Sequence, residues 1–197
     1  LQSENTLSKV ILFIGKLVWF FQRITGIPYL NFFNNIQRCN TVLSVLDEYD
    51  VVYKRFSLYR TGIALACRLK RKRYILFFDA DPLFELDFCG NPIKGILRWR
   101  AEQMMKFCFR VAKKIICVSS VVSHQVQKVY GVNSEKFLVM PNAVDSDFFC
   151  PADAKDLPKI EDLEGKSVIL FVGSFCVWHD VLSLVHAFDL VLKQVPN

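Results

Sequence analysis

Three carboxylates fall within one short stretch, Asp79-Ala80-Asp81-Pro82-Leu83-Phe84-Glu85. Carboxylates this close together can deprotonate a hydroxyl group or orient one through hydrogen bonds. They directly follow Tyr74-Ile75-Leu76-Phe77-Phe78, an apolar run without alternation, which reads as a parallel strand covered on both faces. Open α/β sheets bind their ligands just past the carboxyl ends of such strands. Asp79, Asp81 and Glu85 are therefore the candidate catalytic residues, and the plain alternative is an Asp-Pro turn with an exposed acid. No metal site is expected, because the seven cysteines at 39, 67, 89, 108, 117, 150 and 176 never approach a CxxC pair. Their odd number and apolar neighbours suggest reduced, buried thiols.

The net charge of +6 conceals a strong asymmetry. Residues 54–73 carry eight Lys/Arg and no acid, and residues 94–114 carry seven Lys/Arg against Glu102 alone. A concentrated basic surface suits a phosphate-bearing partner: anionic lipid, sugar nucleotide or nucleic acid. The bland alternative is a set of solvated helix faces around the turn Lys70-Arg71-Lys72-Arg73. An anionic membrane surface is favoured over nucleic acid, because the nearby aromatic residues lie in apolar runs and not in a pattern suited to base stacking.

The elements that must position these residues follow from periodicity. Ser8 to Ile24 reads as an amphipathic helix, with Lys9, Lys16 and Arg23 recurring every seven residues and Gly26 and Pro28 ending it. A second helix is expected from about Asn34 to Leu46, followed by a short strand, Tyr49 to Tyr53. Helices are then expected at 61–69 and 94–113, with strands at 74–78, 115–118 and 137–140. Ser119-Ser120 can cap a helix over 121–130, and Gly131 is placed to stop it. Strand and helix alternate throughout, which predicts an α/β fold with a Rossmann-like, doubly wound parallel sheet.

Residues 146–165 hold Pro151, Pro158 and several acids with little apolar periodicity, and read as a linker between a first domain, 1–145, and a second segment, 166–197. In that segment Ser167 to Val172 reads as a strand and Val181 to Lys193 as a helix, an incomplete second Rossmann-like domain. Apolar residues make up 52% and charged residues 22% of the chain, which excludes disorder, collagen and coiled coil. The longest near-apolar run, Val10 to Phe21, contains Lys16 and is too short to cross a bilayer. It also lacks the flanks of a signal peptide, so a cytoplasmic location is expected, with a peripheral membrane contact as an option.

Four stretches resemble glycosyltransferase family 4, whose members have the two-domain GT-B fold. Asp50-Val51-Val52-Tyr53-Lys54-Arg55-Phe56-Ser57 is similar to the family's "DvvyeR" strand and loop, and Ile115 to Ser120 to its "vi.vS" strand. Val139-Met140-Pro141-Asn142-Ala143-Val144-Asp145, followed by Phe148 and Pro151, resembles the "v.pNgvD...F.P" junction between the domains. Phe171-Val172-Gly173-Ser174, followed by Trp178-His179 and Leu184 to Phe188, resembles the opening of the donor domain.

The resemblance implies a retaining transfer of a sugar from a nucleotide diphosphate sugar to a glycan, lipid-linked or small-molecule acceptor, with no cofactor and no nucleic-acid partner. It places Asp79, Asp81 and Glu85 near the transferred sugar and Asn142 near the donor cleft. Gly173, Ser174 and His179 fall at the donor diphosphate. The family holds that diphosphate with an Arg and a Lys, where this chain has Ser174 and His179, and Asp180 replaces the following Gly. A protonated His179 could assist, whereas the Asp180 charge would oppose a phosphate. Neither the family's glycine-rich loop nor its donor-gripping glutamate motif is found in the 197 residues. The chain alone is therefore expected to be inactive, and the alternative is a non-catalytic remnant that binds a membrane surface or a partner. His124 and His186 are read as ordinary helix residues, and Trp178 as packed on a sheet.

Overall fold

The computed structural model describes residues 6–25, 32–151 and 166–195. Cα proximity divides the chain into two compact units, Leu1–Ala143 and Val144–Asn197. Gly26, Pro28, residues 152–165 of the expected linker, and the side chains of Lys9 and Arg23 lie outside the described residues.

The first unit is an α/β domain with a Rossmann-like, all-parallel sheet. It opens with α1 (Thr6–Thr25) and α2 (Phe32–Val45), followed by β1 (Val51–Arg55), α3 (Gly62–Leu69) and β2 (Arg73–Phe78). Next come α4 (Pro82–Phe88), α5 (Gly95–Val111), β3 (Lys114–Cys117), α6 (Ser120–Tyr130) and β4 (Phe137–Val139). The four strands lie in the order β1-β2-β3-β4. In register, Arg55 opposes Phe77, Phe78 opposes Cys117, and Cys117 opposes Val139. This brings the carboxyl ends of all four strands to one edge.

The core forms on one face of the sheet. Tyr74, Leu76, Phe78, Ile115 and Cys117 point into it and are fully buried, with Met105, Cys108 and Phe109 of α5 packed against them. Ile75 and Phe77 on the opposite face are only half-buried: Ile75 lies between Tyr53 of β1 and Lys114 of β3, and Phe77 lies beside Arg55 of β1, all three of them exposed. The expected covering of β2 is thus complete on one face only.

The helix boundaries have local causes. Ser119 accepts a hydrogen bond from the Val122 amide and caps α6, and Gly131 closes that helix in the left-handed conformation (φ 66°). The start of α3 is capped from outside: Oδ1 of buried Asn35 on α2 accepts from the Thr61 and Gly62 amides, while its Nδ2 donates to the Tyr59 carbonyl. Gly62 is required here, because a Cβ would lie 2.3 Å from the Asn35 carbonyl oxygen.

The second unit departs from expectation. Residues 166–172 form no strand, which corrects the expected strand Ser167 to Val172. An extended segment becomes a strand only when a neighbour takes its ladder hydrogen bonds, and no strand of this unit is present among the described residues to do so. The helix forms as expected, as α7 (Val181–Gln194), with no buried residue. Trp178 is 54% exposed, not packed on a sheet.

All seven cysteines are free. Four are buried, but Cys150 is exposed, against the expectation of uniformly buried thiols. Burial pushes the Cys108 and Cys117 thiols up to about 11, so both stay protonated and unreactive at neutral pH. Among the described residues no helix is long and apolar enough to cross a membrane.

Candidate functional site

The carboxyl edge of β1 and β2 holds a cleft of about 290 Å³, lined by Arg55, Ser57, Asp79, Pro82 and Glu85 among others. The expected loop from Asp79 to Glu85 is mostly helix: Pro82 begins α4, and Asp81 is its N-cap. Proline suits the first helical position, where its missing N–H costs nothing. This assigns the three carboxylates different roles.

Asp81 is structural. It is 7% exposed, and its Oδ1 accepts from the Leu83 amide at 2.9 Å and the Phe84 amide at 3.4 Å. Its Oδ2 accepts from the Tyr130 hydroxyl at 2.6 Å, tying α6 to the start of α4. Burial first, and this bond second, push the Tyr130 phenol well above its ordinary value, so it stays a donor. Both oxygens of this buried carboxylate are thus engaged within the fold, Oδ1 by two amides and Oδ2 by the Tyr130 hydroxyl.

Asp79 is paired. Its Oδ2 accepts from Nε of Arg55 at 3.2 Å and from a terminal nitrogen of the same guanidinium. The pair joins the ends of adjacent strands, and Asp79 in turn holds Arg55 more firmly protonated.

Of the three carboxylates, Glu85 is the one without a side-chain partner among the described residues. It stands in the first turn of α4, exposed at the cleft, and its pKa is raised by partial desolvation first and by the Asp79 and Asp81 charges second, with Arg55 pulling the other way. A carboxylate with a raised pKa is the stronger base once ionised. The arrangement is a base beside a charge-balanced Arg–Asp pair.

The wall opposite is the loop after β1. Tyr59 adopts a left-handed conformation (φ 61°) and is held there by Asn35 on its carbonyl and by its hydroxyl, which donates to the Leu97 carbonyl at 3.0 Å. A non-glycine residue in that region is strained, and here it shapes the loop that carries Ser57. Arg55, Ser57 and Tyr59 are residues of the site for which the sequence alone predicts no role. Arg55 sits in a stretch quoted for its family likeness, and the signal available was a basic residue at a strand's carboxyl end facing an acid at the next.

Asn142 leaves the same edge just past β4, two strands from Asp79, and is exposed. The Met140 amide still bonds the Cys117 carbonyl at 2.8 Å, so Asn142 follows closely on the last ladder bond.

Gly173, Ser174 and His179 belong to the second unit, where they form a small cluster of their own. The Ser174 carbonyl pairs with Nδ1 of His179 at 2.5 Å, and a carbonyl can only accept, so Nδ1 carries the proton. His179 ends a short 3₁₀ turn, Val177–His179, and Asp180 caps α7 through the Ser183 amide at 3.4 Å. Nε2 is left as the ring atom that could meet a phosphate, and only when it too is protonated. His124 and His186 are exposed on α6 and α7. Among the described residues no group of His, Cys, Asp and Glu is arranged to hold a metal ion.

The family model described as Glycosyltransferase Family 4 matches residues 14–148. That span includes the whole sheet, the Arg55–Asp79 cleft and Asn142. No curated protein matches the chain.

Proposed function

Because the chain belongs to glycosyltransferase family 4, we propose that its first unit holds the acceptor in a sugar transfer whose donor is a nucleotide diphosphate sugar. Ionised Glu85, exposed at a cleft whose other acid is neutralised by Arg55, carries this reading. It accepts a hydrogen bond from the acceptor hydroxyl and takes its proton as the new glycosidic bond forms and the nucleoside diphosphate leaves. Arg55 and Asp79 orient neighbouring hydroxyls of a glycan, lipid-linked or small-molecule acceptor. In the second unit taken by itself, His179 would offer a diphosphate a cation only when both its ring nitrogens carry protons, with Gly173 and Ser174 forming its turn; in the first unit, Asn142 offers a polar side chain at the sheet edge.

A second reading, a non-catalytic binding module on the same fold, is favoured by Ser174 and by the adjacent His179 and Asp180, which stand where the resemblance places Arg, Lys and Gly. Titration calorimetry of an acceptor panel against the wild-type chain and Glu85→Gln separates the two. The acceptor reading expects binding weakened on the order of tenfold by Glu85→Gln, the loss of one hydrogen bond to a charged group. Equal binding by both proteins sinks it.

A further inference from the structure

A large concave surface of the first unit lies at the other end of the strands from the carboxylates. It is a groove of about 920 Å³ beneath the starts of β2 and β3, between the last turns of α3 and α5. Eight of its lining residues are Lys or Arg, and Glu135 is its one acid. Three of the cations support the fold: Nζ of Lys136 donates to the Phe109, Arg110 and Ala112 carbonyls at the end of α5, Lys114 to the Glu135 carbonyl, and Lys72 to the Asp47 and Tyr49 carbonyls. Carbonyls orient these ammonium groups without cancelling their charge. The other five, Arg68, Arg71, Arg73, Arg110 and Lys113, are exposed and have no acidic partner among the described residues. Crowding like charges in one groove costs free energy unless an anion occupies it. The pKa of Lys136 is correspondingly lowered, by burial first and by Lys113 second.

We propose that this groove is a docking site for the phosphate headgroups of an anionic lipid surface. Two observations favour lipid over nucleic acid. Beside the basic turn at the groove's rim, Leu69 is 61% and Tyr49 is 56% exposed, an apolar and an amphipathic side chain of the kind that partition into a headgroup layer. The aromatic rings in the groove wall, Tyr74 and Phe107, are buried and half-buried, and offer no face for base stacking. The site is distinct from the acceptor cleft: β2 runs from Arg73 in the groove to Phe78 just before Asp79, and a strand of that length spans about 20 Å. Docked by its amino edge, the domain lifts the carboxylate cleft clear of the surface by roughly that distance, within the reach of an extended glycan.

The test is co-sedimentation of the full chain with vesicles of phosphatidylcholine alone and of phosphatidylcholine mixed with phosphatidylglycerol. Binding is expected to the mixed vesicles only, and to fall as salt is raised. The triple variant Arg71→Gln, Arg73→Gln, Arg110→Gln should lose on the order of 100-fold in affinity, from three headgroup charges at the surface. The corresponding triple Lys variant should retain binding, and all three proteins should share one thermal midpoint, which separates lost charge from lost fold. Equal binding to neutral vesicles, wild-type binding by the Gln variant, or displacement from the mixed vesicles by duplex RNA at equal phosphate concentration would each overturn the proposal.

Discussion

Arg55 and Asp79 end adjacent parallel strands, and the guanidinium of the first holds one carboxylate oxygen of the second through two nitrogens. The pair is solvent-exposed, so its contribution to stability is small. Its consequence is electrostatic. The positive charge opposes the desolvation and the two Asp charges that raise the pKa of Glu85.

Arg55→Ala should therefore move the pKa of Glu85 further upward and barely change the thermal midpoint. The proposed role of Glu85 requires its ionised form, so any process that needs its carboxylate fails as pH falls through its pKa. In Arg55→Ala that failure begins at a higher pH. Carbon-detected NMR titration of the Glu85 side chain checks this, and an unchanged or lowered midpoint would contradict the assigned geometry. The stability sign is opposite. A carboxyl whose folded pKa is raised stabilises below its unfolded pKa and loses that contribution as pH rises through the folded value. Glu85→Gln should accordingly be the more stable protein above that pH.

Asp81 should behave as a structural residue. Asp81→Ala removes the cap of α4 and leaves the half-buried Tyr130 hydroxyl with only the long, weak bond to the Met105 sulfur at 3.9 Å, at a combined cost of about 2–4 kcal/mol. Asp81→Asn keeps an acceptor oxygen and should cost less. Urea unfolding of Asp81→Ala, Tyr130→Phe and the double variant closes a cycle whose coupling should be at least about 0.5 kcal/mol. A coupling near zero would show that the bond between α6 and α4 does not form.

Tyr74 is 0% exposed, and its hydroxyl has no hydrogen-bond partner among the described residues, with burial raising its pKa. An unpaired buried hydroxyl costs about 1–3 kcal/mol, so Tyr74→Phe should leave stability unchanged or raise it by about that much. A clear loss on denaturant unfolding would mean the hydroxyl is hydrogen-bonded in solution.

The sheet was legible in the sequence because its signals are local. The apolar run 74–78, the Ser119 cap and the Gly131 stop each act within a few residues, and each stands within a residue or two of its expected place. The strand expected over 167–172 failed for the opposite reason: its apolar pattern is strand-like, but a strand exists only beside another strand. The candidate site was half-legible. Three nearby acids could be counted, but which would be capped, paired or left available depends on Tyr130, 49 positions beyond Asp81, and on Arg55, 24 positions before Asp79. The expectation of a loop also missed that an Asp followed by Pro suits an N-cap and first helical residue as well as a turn.

The most direct test of the acceptor reading is amide-resonance mapping of the chain as glycan, lipid-linked and small-molecule acceptors are added. The account predicts saturable shifts at Ser57, Asp79, Ala80 and Glu85 for at least one acceptor class, saturating at roughly tenfold higher concentration in Glu85→Gln, without change elsewhere. Shifts confined to the basic groove around Arg71 and Lys113, or no shifts with any acceptor, would contradict it.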